Sequence, residues 1–196
     1  MLPTFQRKVA SMGLSDFLFD LLGLTGTKKQ ELLELQKLVV KDSPNRLIVS
    51  EKELVGTATA MITRDLKIVQ DCVQIVNNTT KPDTFFYRLS LLEEKAQSLC
   101  AFEQFGNYIK FSVPPSAAFV DFSFSKQEAI RQFLIRYFFE IFDQARNLKT
   151  AKGKYNKYQK FYDSLQPYYE IMNDENIDYI ETKYKAYTRD LTKALK

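Results

Sequence analysis

Residues 125–148 read SKQEAIRQFLIRYFFEIFDQARNL. Ala129, Ile130, Phe133, Leu134, Tyr137, Phe138, Ile141, Phe142, Ala145 and Leu148 recur at i, i+3, i+4, i+7 spacing. That period places them on one face of a helix. The stripe continues for about six turns, far longer than a strand. Ser125 with Glu128 three residues on matches a capping box, which sets the expected start at Ser125. A helix this long with one apolar face must bury it against other helices.

Helical signals continue on both sides. Ser50 and Glu53 form another capping box, and the stretch after them carries Leu54, Ala58, Met61, Ile62, Ile68, Cys72 and Val76. Val69 and Val73 belong to the same expected apolar set. The helix should end near Asn77-Asn78, with a new helix starting at Pro82, which the first turn tolerates. Phe85, Phe86, Leu89, Leu92, Ala96, Leu99 and Phe102 follow. Towards the C-terminus, Tyr155, Tyr158, Tyr162 and Leu165 share a face that ends near Pro167. Asp174 is placed to cap a last helix with Ile177, Ile180, Tyr184, Tyr187, Leu191 and Ala194 on one side. Its 3-4 spacing covers too few heptads for a coiled coil, so it should pack on the domain.

Residues 106–124 break the pattern. Gly106, Pro114 and Pro115 punctuate an apolar segment. Val120, Phe122 and Phe124 alternate with Asp121 and Ser123, which fits a short strand or hairpin; a short helix started by Pro115 fits equally. Upstream, residues 1–11 read as a loose leader, and Met12-Gly13-Leu14 as an alternative translation start. Leu14, Phe17, Leu18, Leu21 and Leu22 then share one helical face, and a second helix runs from about Lys28 to Val40 before the turn cluster at Asp42-Ser43-Pro44-Asn45. The expected fold is all-α: a multi-helix bundle with a short N-terminal helical appendage and one irregular or short-strand insertion near 106–124. The appendage takes residues 1–48 and the main helical domain residues 49–196.

Composition narrows the function. Hydrophobic residues make up 45% and charged residues 27% of 196, which is ordinary globular usage. There is no histidine. Ser-His-Asp, Cys-His and His-ligated zinc chemistry are therefore excluded within the chain. No glycine-rich phosphate loop of the P-loop or Rossmann kind is present. Cys72 and Cys100 each lie in an apolar run and read as buried free thiols. No signal peptide and no apolar run of membrane-spanning length stand out, so the cytoplasm is the expected location. Asp16 and Asp20 on the 14–24 segment disfavour an anionic membrane surface as its partner.

One charge block stands out. Arg146, Lys149, Lys152, Lys154, Lys157 and Lys160 carry six positive charges, with no acid between Asp143 and Asp163. The remaining residues hold 22 basic and 24 acidic side chains, so the basicity is local. Tyr155, Tyr158 and Tyr162 are interleaved with it. Basic side chains beside aromatic rings suit a nucleic-acid backbone with stacked bases. The competing reading is a solvated helix face whose lysine stems cover apolar surface while the tyrosines face the core. Two further features have structural readings. Arg88 should brace an interhelical junction by pairing with an acid, rather than bind an anion in a cleft. Asp174, Glu175, Asp178 and Glu181 should favour a helix start, rather than hold a hard metal ion.

The segments at 78–88, 148–154 and 175–181 resemble those of a set of uncharacterised helical proteins from Gram-positive bacteria and their mobile elements. The resemblance spans roughly residues 58–185 and implies one helical module without an assigned activity.

The expected function is a non-catalytic interaction module that needs no cofactor or metal and binds a protein partner or itself. The alternative is a nucleic-acid or polyanion binder using Arg146, Lys149, Lys152, Lys154, Lys157, Tyr158 and Lys160. A hydrolase built on Asp and Glu alone is a third reading, which a deep acid-lined pocket would support.

Overall fold

A computed structural model of the chain describes residues 27–42, 50–111 and 114–195. The leader at 1–11, the start at Met12, the 14–24 helix and most of the turn at 42–45 lie outside them. Among the described residues 87% are helical and none is in a strand. The helices are α1 (Thr27–Asp42), α2 (Glu51–Asn78), α3 (Pro82–Glu103), α4 (Pro115–Arg146), α5 (Ala151–Leu165) and α6 (Asp174–Ala194). A short 3-10 helix at Gln166–Ile171 joins the last two. No described helix is long and apolar enough to cross a membrane.

Several boundaries follow local chemistry. The Ser50 hydroxyl accepts from the Glu53 amide at 3.2 Å, as the capping box requires. Pro82 opens α3, where its missing N–H costs nothing. At α6 the cap is Asn173 rather than Asp174: its side chain accepts from the Asn176 amide at 3.1 Å. Asp174 and Glu175 fall in the first turn instead, where they favour the macrodipole.

The largest correction concerns residues 115–124, which are helical and continuous with the long stripe. Ser125 does not cap. Its hydroxyl donates back to the Phe122 carbonyl at 3.1 Å, and that of Ser123 to Phe119 at 2.9 Å. Both serines thus find a partner within the helix and do not interrupt it. Pro115 supplies the start, and no Gly or Pro follows before the helix ends at Arg146. Among the described residues of this segment, 106–111 and Pro114 stay non-helical, and the Tyr108 and Ile109 amides return to the Phe105 carbonyl.

The chain forms two compact units. The first joins the described residues up to Lys67 with Ser98–Pro115; the second joins Ile68–Gln97 with the described residues from Ser116 onward. In the first, Leu32, Leu35 and Val39 of α1 are fully buried, as are Leu54 and Ala58 of α2. Met61 and Ile62 of α2 join its core, as do Leu99, Phe102, Phe105 and Ile109. Its buried polar centre is Asp65, which pairs with Arg64 at 3.0 Å and accepts from the Ser98 hydroxyl at 3.5 Å. α2 and α3 each place one end in each unit.

The second unit has an aromatic core. Phe85 stacks on Phe133 at 4.1 Å, and Phe86 on Tyr168 at 4.1 Å. Phe138 meets Phe161 of α5 at 5.4 Å and Tyr187 of α6 at 5.1 Å. Polar junctions close the ends. The Arg136 guanidinium donates to the Val76 carbonyl at 2.9 Å, satisfying an acceptor in the last turn of α2. Buried Asn176 donates to the Gln127 backbone and side-chain oxygens, both at 3.1 Å. Gln127 in turn accepts from the Asn173 amide and donates to the Ile171 carbonyl. One side chain of α4 thus fixes where α6 begins.

The tyrosines of this unit make its stability sensitive to alkali. Burial pushes Tyr168 up to about 12, helped by its 2.7 Å hydrogen bond to Asp83. Burial likewise pushes Tyr169 up to about 12, with Tyr162 and Glu181 nearby, and Tyr184 to about 12, with Tyr155 hydrogen-bonded to it. In the unfolded chain these phenols ionise near ~10. Between those values the native state holds protons that the unfolded state has released, so stability falls as pH rises. The contribution is intact below pH ~10 and is lost as pH approaches about 12. Urea unfolding followed from pH 8 upward should show a flat region and then a steep decline. Tyrosinate absorbance should show a class of phenols that titrates only as the helix signal is lost.

Candidate interaction surfaces

The basic block spans the end of α4, the connection at 147–150 and α5. Thr150 caps α5: its hydroxyl accepts from the Gly153 amide at 3.1 Å. A Cβ at Gly153 would meet that hydroxyl at 2.9 Å, so glycine preserves the cap. Arg146, Lys149, Lys152 and Lys160 are exposed; Lys154 and Lys157 are half-buried. Among the described residues none of the six forms an ion pair. Lys157 donates to the Gln144 side chain at 2.9 Å.

The aromatic half of that expectation is corrected. Tyr158 is only 5% exposed, lying 5.3 Å from the Tyr187 ring and stacked 6.4 Å from Phe138. Burial raises its phenol above the usual range. Tyr162 stacks on Tyr184 at 4.5 Å, and the Tyr155 hydroxyl bonds to Gln159 at 3.1 Å. These rings therefore form the α5–α6 seam and do not offer faces to bases. The cause is the helical period: Tyr155, Tyr158 and Tyr162 share the face that carries buried Phe161 and Leu165. A shallow, open depression of about 500 Å³ along α5 takes in Asn156, Gln159, Lys160, Asp163 and Ser164. Asp163 puts an acid beside Lys160 there.

A second surface lies on the outer side of α4. Phe139 is 59% exposed, although Phe138 beside it is 3% exposed. Ile135, one turn before, and Phe142, nearly one turn after, are half-buried. Phe142 reaches the half-open Tyr187 ring of α6 at 5.7 Å. Arg131 lies 4.0 Å from the Tyr179 ring centroid, and Lys183 5.5 Å from it. The seam between α4 and α6 is thus apolar, with cations over its aromatic edge. This surface was missed in the stripe of residues 125–148, which passes through Phe138 and Phe142. Its signal was two large apolar residues off that stripe, Ile135 and Phe139, spaced one turn apart.

The remaining candidates take structural positions. The Arg88 guanidinium lies 5.5 Å from the Tyr87 ring centroid; among the described residues no carboxylate pairs with it, contrary to the expected junction. Glu181 pairs with Lys185 at 2.7 Å. Cys72 is buried as expected, whereas Cys100 is half-buried. No family model matches the sequence, and no curated protein or solved structure matches it.

Proposed function

We propose that the chain is a non-catalytic helical interaction module that binds a protein partner through the outer face of α4. Phe139 carries this reading. It exposes most of a phenyl ring in the middle of a well-packed helix, continuous with Ile135, Phe142 and Tyr187. Single exposed apolar residues are ordinary, but a contiguous patch on one helix face marks an interaction site. Affinity capture with wild-type and Phe139→Asp chains after nuclease digestion tests it. A protein retained by the wild type and lost by the variant, with equal melting temperatures, is the expected result. Identical capture by both chains would overturn the reading.

The unpaired basic block supports a second reading, a polyanion bound through its backbone alone. Each phosphate neutralised steepens the dependence of log affinity on log salt by about 0.9 for duplex and 0.7 for single strands. Replacing Lys149, Lys152 and Lys160 together with Gln should flatten that slope by roughly 2 or more. Absence of binding to duplex or single strands at ~50 mM salt, where such contacts are strong, would leave the block as a solvated face. Membership in the Gram-positive helical family that the motifs resemble stands as a proposal and brings no activity with it.

A further inference from the structure

The outer face of α4 has a charge order that identifies its partner. Glu128, Arg131, Ile135, Phe139, Asp143 and Arg146 lie within about 120° of arc on this one helix. Their spacings of 3, 4, 4, 4 and 3 are symmetric about position 137. The chemistry is symmetric in size and inverted in charge. Glu128 mirrors Arg146, Arg131 mirrors Asp143, and Ile135 mirrors Phe139.

An isologous two-fold interface brings a patch onto itself, so each residue meets its mirror position in the other copy. We propose that the occupant of this face is a second copy of the chain, with α4 packed antiparallel on α4 about a two-fold axis near residue 137. This rests on the reading of the α4 face as an interaction surface and names the partner. In that register Ile135 of each copy packs on Phe139 of the other. Glu128 meets Arg146 at both ends, and Arg131 meets Asp143 just inside. A parallel pairing would set Glu128 on Glu128 and Arg146 on Arg146, which like-charge repulsion disfavours.

The local contacts leave these groups available. Glu128, Phe139, Asp143 and Arg146 are exposed. Glu128 accepts from Gln132 at 2.6 Å on its own helix, which keeps one oxygen oriented and the charge intact. Arg131 is half-buried, held over the Tyr179 ring and donating to the Glu175 carbonyl at 3.4 Å. Its position is therefore preset. An apolar centre with charged ends is the usual anatomy of an interface, at the small end of the size range.

Sedimentation of the full chain over a range of micromolar concentrations tests the proposal. A monomer–dimer equilibrium weakened by salt is expected. Phe139→Asp should weaken it roughly 100-fold, because each interface loses two central anchors. Glu128→Arg and Arg146→Glu should each weaken it about 10-fold, since either change places two like-charge pairs across the axis. Combined in one chain, the two reversals should restore dimerisation, because every pair is again opposite in sign. Melting curves on these exposed substitutions separate loss of association from loss of fold. A chain that stays monomeric, a dimer indifferent to Phe139→Asp, or a double reversal as weak as the single ones would overturn it. If the chain is monomeric while Phe139→Asp still releases another protein in the capture experiment, only the identity of the partner falls. If Phe139→Asp changes neither, the interaction reading falls as well.

Discussion

Phe138→Ala lowers the unfolding free energy by ~3–5 kcal/mol, while Phe139→Ala, one residue on, stays within ~0.5 kcal/mol of wild type. The contrast comes from one helical step of ~100°. Phe138 faces Phe161 of α5 and Tyr187 of α6, at 5.4 and 5.1 Å, and its ring is 3% exposed. Truncation removes its transfer energy and opens a cavity among rings on three helices, which cannot all move inward together. Phe139 is 59% exposed, so its removal takes little apolar area out of the folded state. Urea titrations at matched, low concentration measure both. A cost below ~1 kcal/mol at Phe138, well under the range for a buried Phe, would show that its pocket collapses or that the ring is not in the core.

Tyr158→Ala should cost ~3 kcal/mol of stability and leave affinity for single-stranded nucleic acid unchanged. The ring is 5% exposed, between Tyr187 and Phe138. A base that stacked on it would first have to displace α6, which packs on α5 along the whole seam. A stacking tyrosine on an open surface behaves in the opposite way: its loss weakens binding by ~1–3 kcal/mol and leaves the melting temperature nearly unchanged. Melting curves and fluorescence anisotropy on the same preparation therefore decide the point. A drop in affinity at constant stability would return Tyr158 to the binding surface. Variants of Tyr158 and Phe138 should not be combined to add their costs, because the rings are in contact.

Position in the chain decided how much was legible beforehand. Both ends of α2 and the start of α3 were readable, because a Ser50 cap, an Asn77-Asn78 end and Pro82 at the first turn are local devices. Their geometry depends on neighbours within one turn. The start of α4 was misread for a related reason. Ser125 can cap a helix or return its hydroxyl to a carbonyl one turn back, and only the conformation of 115–124 selects between them. That segment's alternation at Val120 and Phe122 resembled a strand, but Phe119 and Phe122, half-buried in the structure, are also spaced for a helix. The α6 cap at Asn173 is a local device beside Asp174, an equally good capping residue, and Gln127, 46 residues earlier, adds a bond to the Asn173 amide.

The sequence by itself determined an all-α chain, because long 3.6-residue stripes with few Gly and Pro leave no other way to bury their apolar faces. It also determined that histidine chemistry is absent and that the positive charge is local. Tertiary structure decided the rest. Burying the α5 face that holds Tyr158 separated the basic block from its rings, since a flexible lysine stem carries its charge out of a seam to water while the rigid tyrosine ring stays packed in it. The packing of α5 and α6 on one side of α4 left Phe139 on the other. A helix has one period but several sides, and which side meets solvent depends on the neighbours that cover the rest.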